Sequence, residues 1–135
     1  MQLVLDTNIV LDLLVFRDPQ VQPLSQGLQA GTLLWLATAS MREELARVLA
    51  YPKLAPRVAF HRGAAEAVLQ DFDRHVRLVA SAAKAPLTCG DPDDQKFIDL
   101  AVAHQCVLLS KDYEVLRMRK RLAQLKVTAS ACLVP

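Results

Sequence analysis

DPDDQKFIDLAVAHQCVLLSKD, residues 91–112, carries a helix, a strand and a terminal acid in one run. Asp91 suits an N-cap and Pro92 the first helical position. Acids in that first turn also favour the helix dipole. Phe97, Ile98 and Ala101 recur at helical spacing and mark a buried face, so the helix is expected to reach His104. Residues 105–110 (QCVLLS) then read as a buried strand, followed at once by Lys111-Asp112.

The rest of the chain repeats this alternation. Residues 2–5 form an apolar run that ends on Asp6-Thr7-Asn8. A helix over 9–15, capped by Thr7 or Asn8, is broken at Arg17-Asp18-Pro19. Residues 22–30 read as a helix that Gly31 stops. Residues 32–37 (TLLWLA) are a second buried strand, with Trp35 in the core. Ser40 and Glu43 have capping-box spacing, which predicts a helix from 40 to about 50, ended by Tyr51-Pro52. Further helices are expected over 61–75 and, strongly basic, over 113–124. Residues 76–80 and 126–128 are candidate strands, and 85–90 is loop. Strands alternating with helices predict a single α/β domain over 1–135: an α/β sandwich whose mostly parallel sheet is covered on both faces.

Composition bounds the function. With 53% hydrophobic and 22% charged residues, the chain is globular and not disordered. A formal net charge of +2 is too small to imply nucleic-acid binding without local clustering. Cys89, Cys106 and Cys132 have no metal-ligand spacing and are odd in number, which argues against a disulfide framework or a zinc site. No signal peptide or membrane span is read, so a cytoplasmic protein with no membrane association is expected.

Four carboxylates carry the chemistry. Asp6 and Asp112 each follow a strand, and in parallel sheets ligands bind beyond the carboxyl ends of strands. A turn-forming Asp is the simpler meaning of either alone; two on one sheet edge can converge. On the helix after Ser40, Met41, Leu45, Val48 and Leu49 define the buried stripe. At about 100° per residue, Glu44 flanks that stripe while Glu43 points to solvent. Asp94 lies on the buried face of its helix, whereas Asp99 points away and Asp91 and Asp93 have sufficient meaning at the helix start. A core-facing carboxylate is costly unless paired or bound to a metal. Four inward acids repel, and a hard cation such as Mg²⁺ or Mn²⁺ relieves that repulsion. Asn8 and Ser110 stand beside two of the acids and could orient carboxylates or water.

These residues carry a resemblance. VLDTNIVLDLL is similar to the D-T-N opening of PIN domains, SMREELARVLAYPKL to their second motif, and DPDDQKFIDLAVAHQCVLLSKDYEVL to their third and fourth. The D-P-D-D-x-K-F segment resembles the VapC-like subfamily of toxins from bacterial toxin–antitoxin systems. The resemblance covers nearly the whole chain. It implies a three-layer α/β/α fold and a catalytic, metal-binding set of Asp6, Glu44, Asp94 and Asp112. It further implies Mg²⁺ or Mn²⁺, hydrolysis of RNA phosphodiesters, homodimerisation and an antitoxin protein partner. Asp12 is an extra acid against this pattern, and the tail ASACLVP departs from the usual ending.

Arg117, Arg119, Lys120, Arg121 and Lys126 form a basic run. Arg117 and Arg121 would share a helix face and could contact RNA phosphates, although a solvated face is the commoner meaning. Lys96 could screen the acidic pocket, with a surface lysine the simpler reading. His61, His75 and His104 lack ligand spacing. The leading function is a metal-dependent endoribonuclease acting through a metal-activated water without a covalent intermediate. A phosphotransfer domain with an aspartate nucleophile is disfavoured, because D-x-D is interrupted by Asn8. A catalytically silent PIN domain, binding RNA or protein, is the alternative; inactive versions generally lose acids, and all four are present.

Overall fold

Apolar runs of the sequence supply the three central strands of one five-stranded sheet, and the mixed segments VRL and TAS supply its two edges. β1 (Gln2–Leu5), β2 (Leu34–Ala37), β3 (Val76–Leu78), β4 (Val107–Leu109) and β5 (Thr128–Ser130) lie in the order β3-β2-β1-β4-β5, and every neighbouring pair is parallel. The structure is a computed structural model that describes residues 1–133; the last two residues of the tail, 134–135, lie outside the described residues. Leu3, Val4 and Leu5 are consecutive and all buried, which requires cover on both faces of the sheet.

That cover comes from the crossovers. α1 (Thr7–Leu11) continues into a π-helical turn at Asp12–Phe16 and is followed by α2 (Gln22–Ala30), α3 (Ala39–Leu49), α4 (Ala55–Arg62) and α5 (Ala65–His75). These serve the crossovers from β1 to β2 and from β2 to β3. α6 (Gln95–His104), α7 (Tyr113–Leu116) and α8 (Arg119–Gln124) serve the crossovers that move the other way along the sheet. Right-handed connections put the two groups on opposite faces, giving the three-layer α/β/α sandwich read from the sequence. α6 packs on β1 and β4, and α5 packs on β3 and α3. Trp35 is buried and meets Phe72 edge to face at 5.2 Å between ring centroids.

Several local expectations are corrected. The N-cap of α1 is Asp6, ahead of both Thr7 and Asn8. Thr38 caps α3, its hydroxyl accepting from Met41 N at 3.4 Å. Ser40 is already helical, so no capping box forms with Glu43. The helix expected over 61–75 is two helices, because Gly63 at φ 82° ends the first. That first helix begins at Ala55, six residues ahead of the expected start at His61. The basic run over 113–124 is likewise two short helices, with a turn at Arg117 and the buried Met118. β5 starts two residues later than read, after Lys126 takes a left-handed φ of 64°.

Candidate metal centre

Strand order reverses at the β1–β4 pair, since β1 leads toward β2 and β4 toward β5. A crevice therefore opens beyond their carboxyl ends. The backbone leaving β1 stays tied there, Asp6 N donating to Leu109 O at 2.9 Å. This leaves the Asp6 carboxylate 3% exposed at the rim. Ser110, fully buried just past β4, joins the two strand ends. Its Oγ donates to Asp6 Oδ2 at 2.6 Å and accepts from Asp112 N at 3.0 Å. Asp112 is fixed further as the N-cap of α7, accepting from Glu114 N at 2.8 Å. Asp94 arrives from the other direction, at the N-terminus of α6, 7% exposed. One oxygen from each of Asp6, Asp94 and Asp112 lies within 4.8 Å of the other two.

Three carboxylates at that spacing cannot all ionise cheaply. Burial, a hydrogen bond with Asp112 and the charges of Asp6, Asp112 and Asp91 push the Asp94 carboxyl up to about 8. Burial also raises Asp6, against the lowering effect of its Ser110 and Thr7 hydrogen bonds. Asp94 Oδ2 is buried with no hydrogen-bond partner, and buried polar atoms are seldom left so. An all-oxygen, anionic set with one unused buried oxygen fits a hard divalent cation.

Glu44 faces the same region from α3 but does not join the trio. Lys96 Nζ holds its Oε1 at 2.6 Å, and Thr7 Oγ1 donates to its Oε2. Lys96 also donates to Asp93 O at 2.7 Å. Lys96 is thus a site residue and not a free surface lysine; its position two residues after Asp94 was the available signal. Thr7, read from sequence only as a cap, was missed, and its neighbour Asn8 is exposed and bonds to none of the acids. Asp12 pairs with Lys111 Nζ at 2.6 Å, so this extra acid is compensated beside the cluster and not within it. Asp91 caps the turn before α6, accepting from Asp93 N at 3.0 Å. Asp99, away from the buried face of α6, accepts from Ala85 N at 2.9 Å and Gln95 Nε2 at 2.7 Å and so pins the loop over 85–90. Arg117 pairs with Glu114 at 3.6 Å. Arg121 is exposed on the next helix, so the shared-face argument for the two arginines lapses at the turn between them. No histidine or cysteine joins the cluster among the described residues.

Compared with known proteins, the chain matches the PIN domain over residues 2–114. It belongs to the PIN domain family. The match takes in Asp6, Glu44, Asp94 and Asp112 and stops before α8 and β5. The fold of this PIN domain is similar to that of a chain in the crystal structure of VapBC2 from Rickettsia felis bound to a DNA fragment from their promoter. The TM-score is 0.62 at 17% identity, over 96% of this chain and 98% of that one. No curated protein matches the chain. No helix among the described residues is long and apolar enough to cross a membrane.

Proposed function

We propose that this PIN domain is a metal-dependent endoribonuclease, the toxin of a toxin–antitoxin pair, working in the cytoplasm and restrained by an antitoxin protein. The convergence of Asp6, Asp94 and Asp112 to within 4.8 Å at the strand-order reversal carries the reading. These three residues would hold Mg²⁺ or Mn²⁺. When bound, such an ion supplies activation of water and stabilisation of charge on a phosphoryl group. The protein supplies position. Ser110 fixes Asp6 and the backbone of Asp112 together, so two ligands move as one. Without an ion, the raised Asp94 carboxyl would be the group to keep a proton and so let three acids share the pocket; a bound cation would supply that neutralisation instead. Glu44 stays near the cluster through Lys96 and Thr7.

RNA as substrate rests on the family resemblance and on the exposed basic residues of α8. An antitoxin partner rests on the resemblance and on the fold shared with a VapBC2 chain, and a homodimer on the resemblance alone. Incubation of purified protein with single-stranded RNA tests the activity. Cleavage is expected with Mg²⁺ or Mn²⁺ and lost in EDTA, abolished by Asp6→Asn or Asp94→Asn, and unaffected by Glu43→Gln. Full cleavage by Asp94→Asn protein overturns the assignment.

A further inference from the structure

We infer that Lys96 is a positioning residue which, with Thr7, holds the Glu44 carboxylate out of the cation site, leaving the ion to the three aspartates. The inference rests on the metal-dependent reading of the site. Both Glu44 oxygens are engaged, Oε1 by Lys96 Nζ at 2.6 Å and Oε2 by the Thr7 hydroxyl. Lys96 is itself steered: its ammonium also donates to the carbonyl of Asp93, at 2.7 Å. That carbonyl belongs to the turn that sets Asp94, so one ammonium fixes Glu44 relative to a member of the trio. The ion pair is well shielded, with the Glu44 side chain 13% and that of Lys96 25% exposed. An ammonium and a cation compete for the same carboxylate, and here the ammonium is already in contact.

The consequence is a metal affinity set below what the local acids could deliver. Four carboxylates on one divalent ion would bind it more tightly than three, and hold it in a geometry with fewer positions for water and phosphate. Loss of a group that orients a metal ligand typically costs roughly 10–100-fold in affinity, and recruiting one more carboxylate is expected to act on the same scale in the opposite direction.

Calorimetric titration of the purified protein with Mn²⁺ alone tests this. Lys96→Met, which keeps the aliphatic stem, is expected to bind Mn²⁺ about tenfold more tightly than wild type, because Glu44 is released toward the ion. Glu44→Gln is expected to stay within about threefold of wild type. The double variant Lys96→Met, Glu44→Gln should lose the tightening, since no carboxylate remains to recruit. Lys96→Arg should restore affinity to near the wild-type value. A general structural defect at position 96 would weaken Mn²⁺ binding, so the direction separates the two roles. Should Lys96→Met bind no more tightly, or should the tightening survive Glu44→Gln, Lys96 does not hold Glu44 out. Should Glu44→Gln lose affinity as completely as Asp94→Asn, Glu44 is a ligand and the inference fails while the nuclease reading stands. Should wild-type protein not bind Mn²⁺ at all, both fall together.

Discussion

Asp94 has an oxygen buried without a hydrogen bond and a carboxyl pushed up to about 8, against an ordinary value of 3.8. Between those values the native chain keeps a proton that the unfolded chain has lost. Stability without metal therefore falls as pH rises from about 4 to about 8, and this contribution is fully present only below the unfolded value. Asp94→Asn removes the ionisation and is expected to melt a few degrees above wild type at pH 8 in EDTA. At pH 4 the two proteins should melt alike. Added Mn²⁺ should raise wild type more than the variant, because a ligand stabilises the state that binds it. Thermal melts at both pH values, with EDTA and with Mn²⁺, check all of this. A variant that melts lower at pH 8 and responds to Mn²⁺ like wild type would reduce Asp94 to a helix-end residue. Asp6, Asp94 and Asp112 were legible because strand ends and helical stripes are local patterns. Lys96 was legible only as a residue that could screen the acids, and Thr7 only as a cap, because the carboxylate they both hold is 52 and 37 residues away in the chain.

Helix α3 shows what limits reading at the level of elements. Ser40 and Glu43 have the spacing of a capping box, yet the cap is Thr38, whose backbone is extended at φ −110° and ψ 164°. A cap needs that conformation just ahead of the helix, and spacing alone does not reveal where β2 lets go of the chain. Thr38→Ala is expected to cost about 1 kcal/mol of stability. Ser40→Ala, on an exposed helical position, should stay within about 0.5 kcal/mol. Urea denaturation of the two variants decides between them, and equal costs would return the cap to Ser40. The same limit explains the divided helices. An isolated glycine is tolerated inside a helical pattern, so Gly63 gave no decisive signal until its φ of 82° was seen. At Met118 the chain turns to bury an apolar side chain, a tertiary demand that the basic run around it conceals.

Across the whole molecule, alternation of strands and helices revealed the class but not the strand order. The order depends on pairing β1 with β4, which no local pattern encodes. It matters because the reversal at that pair is where the acids meet. The same long view applies to charge. A net charge of +2 gives little overall attraction to RNA, so the proposed RNA substrate would have to be held by local groups. Arg117 and Arg121, both exposed, are candidates. Charge reversal at both is expected to weaken RNA binding and flatten its dependence on salt, as fewer counterions are released. Filter binding of a short RNA across salt concentrations checks this, and an unchanged slope would assign the helices to solvent or to a protein partner.

The Ser110–Asp6 hydrogen bond joins groups 104 residues apart. On a ribosome adding about 5–20 residues per second, Asp6 is made roughly 5–20 s before the hydroxyl that orients it. Throughout that interval the nascent chain carries the first acid of the cluster without the strand end that completes it, so the site forms only as synthesis nears its end.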